Sequence, residues 1–353
     1  VLKNFFSILK DSDPYLRMLL ITGVSKFSKV SLFSDLNNLQ DITLHPRHAT
    51  ITGYTPEELD QYFGSEYPTL ASANQVKPDE VADQIRRWYN GYQWNIGSPV
   101  YNPFSVLNLF DSTRFANYWW ESGTPTFLIK QLRKEFAFDL AQIEVGASAF
   151  ESYTLDTLDW RALMFQTGYL TITDYDREFL VYQLEYPNRE VRDAMIQHLM
   201  GAFRHDSKTQ TSPLNRNIKR SLDAKDLPRL MGLIDTLFST IPHQIFIEKQ
   251  EAFFHAVLHL TFQGLGLLTQ SEVSTAKGRL DSVVYAKNHI YVMEFKLDDS
   301  AQSALDQIRN KRYGSAYLGT DKPVIAIGIG FSSETRTVSD WEAVAYEELL
   351  TEG

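Results

Sequence analysis

Three charged residues stand where a packed hairpin wants apolar ones: Asp281, Glu294 and Lys296, within GRLDSVVYAKNHIYVMEFKL, residues 278–297. Two apolar runs flank a Lys287-Asn288 turn, so the stretch reads as two short paired strands. Side chains alternate faces along a strand, which puts Glu294 and Lys296 on one face and Met293, Phe295 and Leu297 on the other. Pairing across the turn brings Asp281, near the far end of the first strand, level with Glu294 to Lys296. Two carboxylates brought together repel unless a cation lies between them, and oxygen ligands suit Mg²⁺ or Mn²⁺. A Lys within reach of the same cavity orients a water or stabilises charge developing on a phosphate. The three groups outline metal-assisted phosphodiester hydrolysis. The competing explanation is a cross-strand salt bridge at a sheet edge. Against it, the strand of Glu294 is apolar on both sides and followed by a helix, the pattern of a central strand. Glu251 on the preceding helix joins the set, as does Gln307 on the following one, where Ala304, Gln307 and Lys311 share a face.

The elements around these residues are legible from period and punctuation. After Pro242 the order is a long amphipathic helix (EKQEAFFHAVLHLTFQGLG), two or three strands, the helix DDSAQSALDQIRNKRYGSAYL and an apolar strand, KPVIAIGIGF. That order makes a compact α/β domain of about 110 residues. Upstream, LRMLLIT at 16–22, apolar but for Arg17 and Thr22, reads as a strand buried on both faces of a parallel sheet. TPEELDQYF has Thr55 as N-cap, Pro56 at the first helical position and Glu58 completing a capping box. KPDEVADQIRRWYNGY repeats the logic and ends its helix at Asn90-Gly91. The aromatic stretches YQWNIGSPVYNPFSVLNLF and FANYWWESGTPTFLIKQL read as packing between short helices. Residues 157–186 read as a helix and then a hairpin turning at Asp174 to Glu178, a winged-helix-like unit whose acidic tip favours protein contact over DNA. Residues 188–203 read as helix, 204–217 as a loop containing Pro213, and about 226–240 as a further helix.

Composition narrows the function classes. The 353 residues, 43% of them hydrophobic, allow two or three globular domains. No Cys is present, which removes disulfides, thiolate zinc sites and a Cys nucleophile and fits a reducing, cytoplasmic compartment. No apolar run approaches the roughly 18 residues that span a bilayer, and Val1 opens no signal segment. A first residue other than Met reads as processing or truncation. The formal net charge of −10 opposes casual attraction to phosphate backbones, so a nucleic-acid site needs a local basic patch or bound metal ions. No Gly-x-Ser-x-Gly elbow supports a serine hydrolase. His255 and His259 are spaced i, i+4 but lack the Glu of a zinc-protease helix, and they read as packed or solvated residues.

Glu251, then GRLD with Asp281, then MEFK with Glu294 and Lys296, then Gln307 in SALDQIRNKRY resembles the PD-(D/E)XK nuclease superfamily over about residues 243–340. The resemblance implies a core of helix, small mixed sheet and second helix. It also implies Asp281 and Glu294 as ligands of Mg²⁺ or Mn²⁺ and Lys296 as the water-orienting base or electrostatic partner. Glu251 becomes a helix-borne accessory acid, Gln307 a backbone or phosphate contact, and Glu272 a possible extra acid. The Pro of the superfamily's name is absent, Leu280 standing before Asp281.

The stretches ITGVSKFSKVSLFSDLNNLQDIT, GYTPEELDQYF, WYNGYQWN, VYNPFSVLNLF and YWWESGT, within residues 16–185, look like the AAA-ATPase-like proteins of anaerobic gut bacteria that carry a C-terminal nuclease-like domain. By that resemblance LRMLLIT ends at a nucleotide-sensing position, with Thr22 and Ser25 or Lys26 facing a γ-phosphate. A phosphate-binding loop needs GxxxxGK followed by Ser or Thr, and the chain has none, so neither ATP binding nor ATPase activity is expected of it. The expected fold is α/β and mostly helical, in several domains. An ATPase-sheet remnant (1–54), a helical lid (55–150) and a winged-helix-like and helical linker region (151–242) precede a restriction-endonuclease-like α/β core (243–353). The expected function is a nuclease regulated in the full-length protein by its ATPase half, which alone binds ATP, with nucleic acid, DNA favoured, as partner. The alternative is a catalytically inactive nuclease-fold module for binding or assembly.

Overall fold

The computed structural model describes residues 8, 12–23, 39–121, 126–134, 140, 143–150, 159–204, 211–239, 241, 251–275 and 278–351. Contacts between Cα atoms divide the chain into two compact units. One takes residues 1–125 and 140–194, the other 126–139 and 195–353.

In the first unit the helix Pro56–Phe63 starts as its sequence dictates: Thr55 accepts from the Glu58 backbone N–H, and the Glu58 carboxylate accepts from the Thr55 N–H. The helix Val81–Tyr89 follows a single 3₁₀ turn at Pro78–Glu80 and ends at Asn90 as expected, but Lys77 gives that turn no side-chain cap. Leu59, Leu70, Val81, Ile85, Tyr89, Val106 and Leu109 form the buried core, with Phe63 stacked on Phe110 at 4.6 Å. Within the aromatic stretches Tyr92 and Tyr101 are buried and Trp119 meets Tyr169 at 5.1 Å, while Phe104 and Phe127 are exposed. Gly91 takes φ +105°, and a Cβ there would lie 1.9 Å from the Pro187 carbonyl oxygen, so only glycine lets these two backbones meet. The helix Trp160–Gln166 is followed by strands β2 (Thr171–Asp176) and β3 (Val181–Glu185). The hairpin turn therefore falls just after the expected one. A further strand, β1 (Ile143–Gly146), pairs with β3 to give the order β1-β3-β2.

Two expectations for the chain's first two thirds fail. Residues 16–22 form no strand, and Leu16, Met18, Leu20 and Ile21 are exposed. An apolar run becomes a strand only when neighbouring strands satisfy its backbone groups, and no described strand pairs with it. Ser25 and Lys26 lie outside the described residues. In the expected loop at 204–217, Thr211–Ala224 is helical. Pro213 sits in its first turn, where the missing N–H is no loss.

Glu190 is fully buried in the first unit, accepting from Ser105 Oγ and from the Trp119 backbone N–H, both at 2.7 Å. Burial pushes its carboxyl up to about 7, against those hydrogen bonds. The fold thus holds the Glu190 proton more tightly than the unfolded chain does. The resulting stability is full below the ordinary glutamate range and is lost as pH rises towards 7. Urea unfolding of wild type and Glu190→Gln across pH 4 to 8 is expected to show the difference shifting by about 3 kcal/mol in favour of the variant as pH rises. A pH-independent difference would mean that folding does not raise the Glu190 carboxyl.

The second unit holds a five-stranded sheet in the order β4-β5-β6-β7-β8. Its strands are Leu268–Thr275, Gly278–Tyr285, Ile290–Leu297, Val324–Phe331 and Val338–Ala345. Only β6 and β7 run parallel, joined across the helix Ala301–Lys311. Glu294 therefore lies on the central strand. One face of the sheet packs Val292 and Ala326 with Leu305 and Ile308 of that helix, and Tyr346 closes the same cluster. On the other face Phe254, Phe331 and Phe238 meet ring to ring, Phe254 and Phe331 stacked at 4.6 Å. The helix Glu251–Gly264 is buried continuously from Phe253 to Phe262, His255 and His259 included. It is a core helix rather than the amphipathic one expected. Among the described residues no helix is long and apolar enough to cross a membrane.

Candidate active site

The β5–β6 hairpin is anchored at its turn, where Asp223 accepts from the Lys287 N–H at 3.0 Å and the Asp223 carbonyl accepts from the Asn288 amide at 3.1 Å. From there the ladder runs from Tyr285 paired with Ile290 to Ser282 paired with Met293. The next position sets Asp281 opposite Glu294, and there side chains take over. The Asp281 N–H points to Glu294 Oε2 at 3.4 Å, and the Phe295 N–H donates to Asp281 Oδ2 at 2.7 Å. The sequence-level alignment of Asp281 with Glu294 to Lys296 is observed.

Glu294 is 1% exposed. Its Oε1 accepts from Lys296 Nζ at 3.3 Å and from the Gln307 side-chain amide. Burial first and the Asp281 charge second push its carboxyl up to about 8, with Lys296 pulling the other way. In the parallel register Glu294 faces Gly328 and Lys296 faces Gly330. Two side-chain-free positions beside the charged pair let the Ala301–Lys311 helix come close enough for Gln307 to reach Glu294. Tyr313, also buried, hydrogen-bonds the Gln307 side chain in turn.

The Glu251–Gly264 helix brings a second group to Asp281. His255 Nε2 lies 3.2 Å from Asp281 Oδ2 and 3.9 Å from Glu251 Oε1, and one ligand atom from each of the three residues lies within 4.8 Å of the others. Burial pushes the His255 imidazole down, but Asp281, Glu251 and Glu294 outweigh it and hold the ring above its ordinary value. His259, one turn on, is pushed down to about 3 by burial and by His255, so it is neutral.

The structure therefore brings together Asp281, Glu294, Lys296 and Gln307, and sets Glu251 by Asp281 through His255. The sequence reading placed His255 among packed or solvated residues. It is packed, but facing Asp281, and its i, i+4 spacing from Glu251 was the available signal. Glu272 lies on β4, where the pairs Ser271 with Ser282 and Val273 with Leu280 frame it against Asp281.

A divalent cation fits this donor set. Asp281 and Glu294 are oxygen donors brought together at the end of the hairpin, and the Asp281 charge is, after burial, the second cause that pushes the Glu294 carboxyl up.

Residues 249–341 match the family model of the PD-(D/E)XK nuclease superfamily, so the C-terminal domain is one of that superfamily. Over 347 residues the chain is 37% identical to a protein of Azotobacter chroococcum mcd 1 described as an uncharacterized protein in the vnfD 5' region. The alignment covers 96% of this chain and 65% of that protein, so the chain spans under two thirds of its relative's length. No solved structure matches it.

Proposed function

We propose that the C-terminal domain is a metal-dependent nuclease that hydrolyses phosphodiester bonds in nucleic acid, DNA favoured. The observation that carries this reading is the convergence of Asp281, Glu294, Lys296 and Gln307 at the point where the β5–β6 ladder gives way to side chains. Asp281 and Glu294 are the proposed ligands of Mg²⁺ or Mn²⁺. An ion held there supplies positive charge to polarise the scissile phosphate. Lys296, 18% exposed, carries an ammonium whose field is little screened, suited to orient the attacking water or to meet charge developing on the phosphate. Gln307 fixes the Glu294 carboxylate by donating to Oε1, and Glu251 is an accessory acid.

The reading extends to a longer protein in which an AAA-type ATPase half, which alone binds ATP, regulates cleavage in the cytoplasm. Its supports are the resemblance along residues 16–185 and the greater length of the Azotobacter relative. A second reading, a nuclease fold kept as a binding or assembly module, is favoured by the excess of acids over bases within 243–353.

The test is cleavage of mixed DNA and RNA substrates with Mn²⁺ by wild type and Lys296→Ala. Wild-type cutting that falls by about 10²–10³ in the variant is the expected result. No cutting and no ion binding by either chain would leave the module reading. Ion binding without cutting would point to a site held off until the ATPase half is restored.

A further inference from the structure

We propose that His255 is a metal ligand, so that Glu251, His255 and Asp281 form a mixed nitrogen-oxygen position selecting a borderline transition ion such as Mn²⁺ or Co²⁺ over Mg²⁺. The inference rests on the reading of Asp281 as a ligand of the nuclease centre, and it is read out without cleavage.

The geometry carries it. Glu251 and His255 stand one turn apart on the same helix and so project side by side. Their ligand atoms and that of Asp281 gather within 4.8 Å. Two ligands each about 2.1 Å from one ion lie about 3–4 Å apart, and the 3.2 Å and 3.9 Å from Nε2 to the two carboxylates are separations of that size. The imidazole is fixed in place: His255 is 7% exposed and its ring meets Phe295 edge-on at 5.0 Å.

A histidine serving only as an ion-pair partner of Asp281 would aim its N–H along the line to the carboxylate. Nε2 instead faces two carboxylates, 3.2 Å from Asp281 Oδ2 and 3.9 Å from Glu251 Oε1. Three ligand atoms, two carboxylate oxygens and an imidazole nitrogen, all within 4.8 Å of one another, suit a shared ion.

The donor set then chooses the ion. Mg²⁺ favours oxygen ligands and keeps its waters, whereas an imidazole nitrogen strengthens binding along the series from Mn²⁺ to Co²⁺ and beyond. The carboxylate pair Asp281 and Glu294 alone would show no such bias.

The deciding experiment is pulsed electron paramagnetic resonance of the full chain loaded with Mn²⁺ alone, prepared with natural-abundance and with ¹⁵N-labelled histidine. An imidazole-nitrogen modulation is expected that changes on labelling and is lost in His255→Gln. That variant is expected to bind Mn²⁺ at least ~10-fold more weakly while its Mg²⁺ affinity changes far less. Bound Mn²⁺ without nitrogen modulation, or modulation surviving in His255→Gln, overturns the proposal and leaves the nuclease reading standing. Modulation in a chain that does not cleave supports the metal position and leaves cleavage to be tested in the longer protein. No divalent binding at all removes both. Should His255→Gln fail to fold, the labelled wild type still reports imidazole ligation, and Glu251→Gln, at a half-exposed position, is expected to weaken Mn²⁺ binding on an intact fold.

Discussion

In Asp281→Asn the rise in melting temperature on adding Mn²⁺ is expected to vanish, together with at least about a 10²-fold loss of cleavage. Asparagine keeps the side-chain oxygen that accepts the Phe295 N–H at 2.7 Å, so the end of the hairpin survives. The negative charge that faces both Glu294 and His255 is lost. An ion at 100 times its dissociation constant stabilises the native state by about 2.7 kcal/mol. In a domain of this size that is roughly 5–10 °C, a shift readily measured. The substitution also removes the like charge that helps push the Glu294 carboxyl up to about 8, so its titration is expected to move back towards the ordinary glutamate range. A melting shift that survives Asp281→Asn would place the ion elsewhere, and with it the proposed centre.

The centre was readable in sequence because its geometry is local. A two-stranded hairpin with a short turn fixes which residue faces which, and period-two alternation fixes the side. Asp281 and Glu294 meet for those reasons alone. Gln307 follows at helical spacing. What sequence could not show depends on partners distant in the chain. LRMLLIT reads alike whether or not a sheet receives it, and in the structure it is exposed. His255 lies on a helix buried continuously from Phe253 to Phe262, so periodicity marks it as interior without saying that one side of that interior is polar. Thr211–Ala224 was hidden by Pro213, a residue that ends helices in their middle but is tolerated at their start. β8, reading VSDWEAVA, lacks the apolar run of its neighbour because it is an edge strand.

The glycines of KPVIAIGIGF carry the second large effect. Gly328 pairs in parallel register with Glu294, and a Cβ there would lie 2.2 Å from the Ala301 carbonyl oxygen and 3.1 Å from Ala304 Cβ. The obstacle is backbone, and that backbone is held. The Ala301 N–H donates to Asp340 Oδ2 at 3.1 Å, and Ser300 caps the helix by accepting from the Ser303 N–H at 3.1 Å. The whole Ala301–Lys311 helix must lift for Gly328→Ala to fit. Ala304, Leu305 and Ile308, all buried against the sheet, lose contact together. A loss of about 3 kcal/mol or more in denaturant unfolding is expected. Gly232→Ala is the control: nothing lies within 4 Å of its Cβ position, and alanine in a helix gains up to about 1 kcal/mol over glycine. The same lift carries Gln307 off Glu294, and a displacement of about 1 Å at such a site costs on the order of 10²-fold in rate. Stability and cleavage are therefore expected to fall together in Gly328→Ala, although position 328 contributes no side chain to the proposed centre. If stability falls while cleavage by the folded fraction is unchanged, Gln307 does not position Glu294, and the helix serves the fold alone.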